Sequence, residues 1–238
     1  TFTGNGQILT VSGSGTFSSN GTVAFTGGSP TTMVLPTTFT LPNVTVNKPG
    51  NANLYFQSNS TLIVTGTLTL TDGFVSNCPF NCYIVTLGAQ GNVLIASTWD
   101  GSVPLVISGT AARTIDLAGA ANIPPLTINA PNATITASSG TVNFPNTVTY
   151  QSAASFTNGA SNFNFNNTYY QTGGTLTVGS GALNFNSNFE LSGTGVVDTA
   201  VGTVTFTGNG QSLSVSGGGT FTGTGTIGGF AKRIVNDA

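Results

Sequence analysis

The sequence TFTGNGQILTVSGSGTF, from Thr1 to Phe17, recurs near the other end of the chain as TFTGNGQSLSVSGGGTF, from Thr205 to Phe221. Only three of the seventeen positions differ between the two copies. Sequence identity this high indicates an internal duplication, and the pattern of the duplicated unit predicts a strand. A repeated strand unit favours an architecture in which similar coils stack on one another.

Apolar and polar residues alternate strictly along much of the chain. In Thr61 to Thr71 (TLIVTGTLTLT), Leu68 and Leu70 fall on one face and threonines on the other, and Thr203 to Thr207 (TVTFT) follows the same scheme. Threonine suits an outer strand face because its branched Cβ favours extended backbone and its hydroxyl tolerates water. The pattern predicts half-buried strands, and no segment shows the apolar stripe of a helix.

Turn signals and a longer period complete the prediction of the fold. Gly-rich or Pro-rich breaks such as Gly217-Gly218-Gly219 separate the strands, and the GTLTV at 174–178 is echoed by the GTVTF at 202–206. Coils of about 20 to 30 residues predict an all-β fold, a right-handed parallel β-helix (β-solenoid) of about 8 to 11 coils. A β-sandwich would explain the alternation but not the similar ends.

The predicted domain organisation is a single β-solenoid domain over residues 1–238. Similar coils lie at 1–17 and 205–221, and a short C-terminal tail, 231–238, either caps the solenoid or docks on a neighbour. The chain begins without Met and lacks a basic segment followed by an apolar one, which is typical of a processed or excised segment.

Composition excludes several classes of function. Charged residues make up 4% of the chain, against about 25% in typical soluble proteins, and the net charge is −2. With 38% apolar residues the chain is not predicted to be disordered. Its four basic residues are too few for nucleic-acid binding, and no apolar run is long enough for a membrane-spanning helix. The basic residues are Lys48, Arg113, Lys232 and Arg233.

Three stretches carry a family resemblance: Leu41 to Asn47 (LPNVTVN), Val64 to Gly73 (VTGTLTLTDG) and Leu191 to Val197 (LSGTGVV). Their composition resembles that of repetitive bacterial cell-surface parallel β-helix proteins. These include autotransporter-passenger-like and filamentous-haemagglutinin-like adhesins and extracellular filament subunits. The resemblance implies an extracellular or cell-surface location and a non-enzymatic role, and it transfers no functional residue.

Two cysteines lie close together, with a proline between them. Cys78 and Cys82 predict a small disulfide-closed loop, and a pair of free thiols or a metal site are the alternatives. Two thiolates without any His fall short of a zinc ligand set, so no metal is predicted. A disulfide would favour an extracytoplasmic location. Candidate glycosylation acceptors are Asn20, Asn43, Asn59, Asn132 and Asn166.

Catalysis is not predicted, and neither is a cofactor. The chain has no His, and its six carboxylates include Asp72 and Asp100, which each precede a glycine in a turn signal. The enzymatic alternative is a polysaccharide hydrolase, or a lyase with Arg113 as base. The other carboxylates are Asp116, Glu190, Asp198 and Asp237.

Two binding functions are further alternatives. Repeated Thr-x-Thr pairs, such as Thr134/Thr136 and Thr175/Thr177, would suit ice binding if they stacked one per coil, although exposed strand threonines explain them equally. Aromatic side chains are either glycan-stacking platforms or parts of the core. They are Tyr55, Tyr83, Trp99, Tyr150, Tyr169 and Tyr170.

The leading functional prediction is an extracellular structural subunit that assembles head-to-tail with copies of itself into a surface filament. An uncapped coil exposes unpaired backbone groups that template another coil, and low net charge leaves little repulsion. The alternative is a segment of a long repetitive adhesin that binds glycans or surfaces. Candidate assembly residues are Thr1, Phe2, Thr3, Asn5, Gln7, Leu9, Val11 and Phe17 in the first copy, and Thr205, Phe206, Asn209, Gln211, Leu213, Val215 and Phe221 in the second.

Overall fold

The computed structural model describes residues 1, 6–13, 17, 19–50, 52–76, 83–119, 122–137, 140–208, 211–229 and 233–237, the last group by its backbone alone. These residues form 28 strands and no helix. The strand pairings are parallel, and the strands stack as a β-solenoid of about ten turns. The predicted all-β solenoid is therefore confirmed.

The strands belong to three sheets. The 13-stranded sheet contains β1 (Gln7–Thr10), β2 (Thr22–Thr26), β3 (Thr31–Val34), β5 (Asn43–Asn47), β6 (Asn53–Phe56), β8 (Leu68–Ser76), β10 (Val93–Trp99), β12 (Arg113–Asp116), β14 (Ala133–Thr136), β17 (Ser155–Thr157), β20 (Thr175–Thr177), β23 (Val196–Asp198) and β26 (Thr220–Thr222). The ten-stranded sheet contains β4 (Thr38–Leu41), β7 (Ser60–Val64), β9 (Val85–Ala89), β11 (Leu105–Ser108), β13 (Leu126–Asn129), β16 (Val148–Tyr150), β19 (Tyr169–Gln171), β22 (Phe189–Leu191), β25 (Ser212–Ser216) and β28 (Arg233–Asp237). The five-stranded sheet contains β15 (Thr141–Phe144), β18 (Asn162–Phe165), β21 (Ala182–Phe185), β24 (Thr203–Phe206) and β27 (Thr226–Gly228).

Inward-facing side chains stack in columns from coil to coil. Leu68 and Leu70 are fully buried, as their alternation with threonine predicts, and Val204 and Phe206 are buried in β24. Because strand side chains alternate between faces, each coil contributes every second residue to one continuous core. One such column in the 13-stranded sheet runs through Val23, Val44, Leu68, Val93, Ile115, Ile135, Phe156, Leu176, Val197 and Phe221.

A column of phenylalanine rings fills the core behind the five-stranded sheet. Phe144 stacks on Phe165 with ring centroids 4.6 Å apart, and Phe165 stacks on Phe185 at 4.8 Å. Phe206 extends the column at 5.4 Å from Phe185. Rings stack here because register places the same position of successive strands directly above one another. The column therefore ties four successive coils together through one continuous contact.

Segments with similar sequences do not always occupy the same sheet. The similar pentapeptides at 174–178 and 202–206 form β20 in the 13-stranded sheet and β24 in the five-stranded sheet. Register pairs instead join residues such as Thr22 with Asn43 and Thr175 with Val196. The stacking repeat is thus about 20 to 25 residues, within the predicted range. The predicted tail, 231–238, contains β28, which pairs with β25.

Coils pack closely against each other at glycine corners. A Cβ at Gly91, between β9 and β10, would overlap the carbonyl oxygen of Gly66 in the preceding coil. We expect Gly91→Ala to lower the free energy of unfolding by about 1 to 3 kcal/mol, since the obstructing atom belongs to the backbone. Urea unfolding measures the change. Gly228→Ala is the control because a Cβ there meets no atom within 4 Å, and equal stability of the two variants would contradict the prediction.

Candidate assembly surfaces at the ends of the solenoid

Counting only the residues that the structure describes, the N-terminal end of the solenoid presents three strands that each pair with one other strand. β1 pairs with β3, β2 with β5 and β4 with β7. A strand with one neighbour directs the backbone N–H and C=O groups of its other edge away from the sheet. This end therefore offers an edge on which a further parallel strand can be added.

An apolar cavity of about 270 Å³ lies beside these edges. Leu9 and Val11 are half-buried in its wall, and Phe17 is 49% exposed. The floor is formed by side chains of the first complete coil, among them Val23 and Phe39. An open apolar cavity at the end of a core marks a surface that another apolar group can cover. The full lining is Thr1, Leu9, Val11, Phe17, Thr22, Val23, Phe39 and Leu41.

The C-terminal end presents the opposite edges of the same kind of ladder. β26, β27 and β28 pair with β23, β24 and β25, respectively. Phe221 is half-buried there, with its ring 5.7 Å from that of Phe189, and Ile227 is 38% exposed. Both side chains point inward, because Phe221 is in register with buried Val197 and Ile227 with buried Val204. The last coil thus leaves part of its core uncovered.

The structure separates the predicted assembly residues into two groups. In the first copy, Gln7 and Leu9 lie in β1, and Thr1, Leu9, Val11 and Phe17 line the cavity. Of the described candidates in the second copy, only Phe221 belongs to the terminal coil. The other described candidates of that copy lie one coil deeper, where Phe206 and Leu213 are buried. The deeper residues are Thr205 and Phe206 in β24, Gln211 before β25, and Leu213 and Val215 in β25. Phe2, Thr3, Asn5 and Asn209 lie outside the described residues.

The two copies of the terminal repeat also lie in different sheets. β1 belongs to the 13-stranded sheet, whereas the equivalent segment of the second copy forms β25 in the ten-stranded sheet. Sequence reasoning missed Ile227 at the C-terminal end and Val23, Phe39 and Leu41 in the cavity. Apolar and polar residues alternate around these positions as they do in any core strand. The sequence pattern therefore does not show that these residues lie at an end of the solenoid.

The two basic side chains that the structure describes are buried and hydrogen-bonded within the solenoid. Lys48 is fully buried, and its Nζ donates to Thr31 Oγ1 at 3.0 Å and to the Thr26 carbonyl at 3.3 Å. Burial lowers the pKa of Lys48. Arg113, the candidate lyase base, is 5% exposed and donates to the Ala111 carbonyl from Nε at 3.0 Å and from a terminal guanidinium nitrogen at 2.8 Å. It also donates to the carbonyl of Ser108, and burial lowers its pKa.

Four carboxylates accept hydrogen bonds. Asp116 accepts from the Ala118 amide at 2.9 Å and Asp198 from the Ala200 amide at 3.0 Å, and these contacts hold the chain where it leaves a strand. Asp72 accepts from the Gly73 amide at 2.7 Å, but both residues lie inside β8, so the predicted break between strands at Asp72-Gly73 is wrong. Asp100 accepts from the side-chain amide of Asn122 at 2.7 Å. Glu190 lies in β22. In the described part of the chain, no group of three or more His, Cys, Asp or Glu residues could hold a metal ion.

The remaining sequence candidates divide between core and surface. Trp99, Tyr150 and Tyr169 are buried and cannot act as glycan-stacking platforms, whereas Tyr170 is 37% exposed. Cys78 and Cys82 lie outside the described residues. Four of the five candidate glycosylation asparagines hydrogen-bond to a neighbouring coil through their side chains: Asn43, Asn59, Asn132 and Asn166. Asn20 is exposed before β2.

A functional proposal for this chain starts from its fold and from the two ends of the solenoid. Within the described ranges, the structure contains no helix long and apolar enough to cross a membrane. A scan against protein-family models, a search of curated proteins and a search of solved structures each find no match to this chain.

Proposed function

We propose that this chain is a non-enzymatic structural unit that stacks end to end on copies of itself, outside the cell or at its surface. The observation that supports this most directly is a set of parallel strand edges with no partner strand among the described residues, those of β1, β2 and β4 at one end and of β26, β27 and β28 at the other. Each internal coil presents the same kind of edge to its successor. A second copy would therefore continue a ladder that already repeats about ten times within the chain.

Apolar groups at the two ends support the same proposal. Phe221 and Ile227 face inward from the last coil, and the cavity at the other end has Leu9 in its wall. Stacking would bring the uncovered core of one copy against the cavity of the next and remove both from water. The interface is heterologous, so it does not close on itself and generates a filament. A net charge of −2 opposes such stacking only weakly.

Electron microscopy of the purified chain tests the proposal. We expect filaments with an axial subunit repeat of about 50 Å, from about ten coils spaced about 4.8 Å apart. Leu9→Glu and Ile227→Lys are expected to abolish filaments because each places a charge in the stacking interface. Ile8→Glu and Val201→Lys are matched controls, since these side chains are 65% and 80% exposed. Circular dichroism confirms that each variant retains its strands.

Three outcomes contradict the proposal. Monodisperse 23.9 kDa monomers at high concentration would exclude self-stacking. Filaments that persist in both interface variants would place the contact elsewhere. A native polypeptide much larger than 23.9 kDa that carries this sequence would instead assign the stacking to covalently linked coils of one long adhesin.

A further inference from the structure

The outer face of the five-stranded sheet carries two ladders of asparagine side chains. Asn164 Nδ2 donates to Asn143 Oδ1 at 2.9 Å, and Asn184 Nδ2 donates to Asn164 Oδ1 at 2.8 Å. In the second ladder, at the residues that directly follow β18 and β21, Asn186 Nδ2 donates to Asn166 Oδ1 at 2.7 Å. The other outward positions of these strands are threonine, asparagine, alanine or glycine, so none is ionisable. We call this surface the amide face.

The ladders fix the direction of the amide groups. Asn164 and Asn184 each use one N–H on the neighbouring coil, which leaves a second N–H and acceptor capacity for an external partner. Because these side chains are already held in place, they lose less conformational entropy on binding than free asparagines would. An amide is both donor and acceptor, so the amide face is complementary to another copy of itself. A charged partner could form no ion pair with the amide face.

We propose that the amide face joins filaments side by side, one amide face against the same face of a second filament. This inference rests on the proposed end-to-end stacking, which would repeat the amide face once per subunit along a filament. In assemblies of stacked strands, identical side chains interdigitate between paired sheets, and asparagine ladders add to the stability of such assemblies. Two identical faces meet across a two-fold axis, so each filament contributes the same residues to the contact.

The area of the amide face makes lateral pairing depend on stacking. Five strands about 4.8 Å apart, with outward columns spanning about 13 Å along the strands, give about 300 Å² per subunit. A stable interface buries about 800 Å² on each partner. Single subunits therefore do not pair through the amide face, whereas about three stacked subunits provide enough area. Bundles are expected only where filaments already exist.

The test compares charges placed on two different sheets. Asn164→Asp with Asn184→Asp adds two negative charges to the amide face on adjacent coils. Thr127→Asp with Thr149→Asp is the matched control, because these half-buried threonines are register neighbours on the outer side of the ten-stranded sheet. Electron microscopy and light scattering at 0.15 M NaCl are expected to show bundles for wild type and control. Single filaments are expected for the amide-face variant, with bundling recovered in 1 M NaCl as screening increases.

A second variant separates surface charge from loss of the ladder. Thr141→Asp with Thr203→Asp charges exposed positions of the amide face and leaves both asparagine ladders intact. We expect it to give single filaments as well, even if the first variant fails to fold. Bundles that persist in this folded variant would overturn the proposal.

The remaining outcomes distinguish this proposal from the stacking proposal. Single filaments from wild type overturn lateral pairing alone. No filaments at all overturn the stacking and the pairing together. A neutral polysaccharide is the competing partner, and insoluble cellulose is the probe. If wild-type filaments stay single and bind cellulose, and the charged variants lose that binding, then the amide face binds a glycan and the proposal is wrong.

Discussion

Phe165→Ala is expected to lower the free energy of unfolding by about 3 to 5 kcal/mol. Phe165 is 1% exposed and lies between the rings of Phe144 and Phe185, with centroids 4.6 and 4.8 Å away. The ring of Tyr169 meets it edge-on at 4.8 Å. Truncation would leave a cavity in the middle of a stack whose neighbours are fixed by strand register, so the coils cannot collapse to fill it.

Guanidinium unfolding at neutral pH measures this effect, and Tyr170→Ala is the control. Tyr170 is an aromatic residue of the adjacent strand β19, but its side chain lies on the outer face and is 37% exposed. Its loss is expected to cost no more than about 1 kcal/mol. If Phe165→Ala and Tyr170→Ala were equally stable, the phenylalanine stack would contribute little to holding the coils together.

Stability is expected to fall steeply above pH 10 because of two buried tyrosines. Tyr150 donates from its hydroxyl to the carbonyl of Ala154, and Tyr169 donates to Gln171 Oε1 at 3.1 Å. Burial raises the pKa of Tyr150, although a backbone contact with Thr175 opposes the shift. Burial also raises the pKa of Tyr169 well above 10.0, and the nearby Tyr150 adds to the shift.

The direction of the effect follows from proton linkage. Above pH 10 the unfolded chain releases both phenolic protons while the folded chain keeps them, so ionisation favours unfolding. The stabilisation is complete below pH 10 and is lost as the pH rises toward the raised pKa values. Each tyrosine contributes a slope of about 1.4 kcal/mol per pH unit, or about 2.7 for the two together.

Unfolding measured between pH 11 and 12 isolates the tyrosines from Lys48. The pKa of Lys48 is lowered, so stability rises with pH only until its unfolded value of 10.5 is passed. Tyr150→Phe and Tyr169→Phe should each halve the slope, even though each removes a hydrogen bond at every pH. Tyr170→Phe, on the outer face, is the control. An unchanged slope in both core variants would show that other groups cause the alkaline loss.

Local chemistry was sufficient to predict the strands. In Thr61 to Thr71 and Thr203 to Thr207, alternation identifies the buried residues because a strand places successive side chains on opposite faces. Low charge and frequent glycine turns indicated stacked coils, and the structure has about ten of them. The break at Asp100-Gly101 was also predictable, since β10 ends at Trp99 and Asp100 then accepts a hydrogen bond from Asn122. The break predicted at Asp72-Gly73 is absent, because both residues lie inside β8.

The ends of the solenoid were less accessible to sequence reasoning. Leu9 and Phe221 lie at opposite ends of the solenoid, whereas Phe206 and Leu213 are core residues covered by the last coil. Whether another coil covers an apolar strand residue depends on how many coils follow it. Residues that share one coil interface are 20 or more positions apart in the chain, so a local sequence pattern cannot predict which residues lie at the end of the solenoid.

The sequence by itself determined that this protein consists of half-buried strands and which side of each strand faces the core. Only the tertiary structure decided to which sheet each strand belongs. The near-identical segments that contain β1 and β25 lie in the 13-stranded and ten-stranded sheets, respectively. The physical reason is that all three sheets surround one core and require the same alternation of apolar and polar residues. The sheet that a strand joins is decided instead by its register with the strands of the coils above and below. That register depends on contacts along the whole stack of coils.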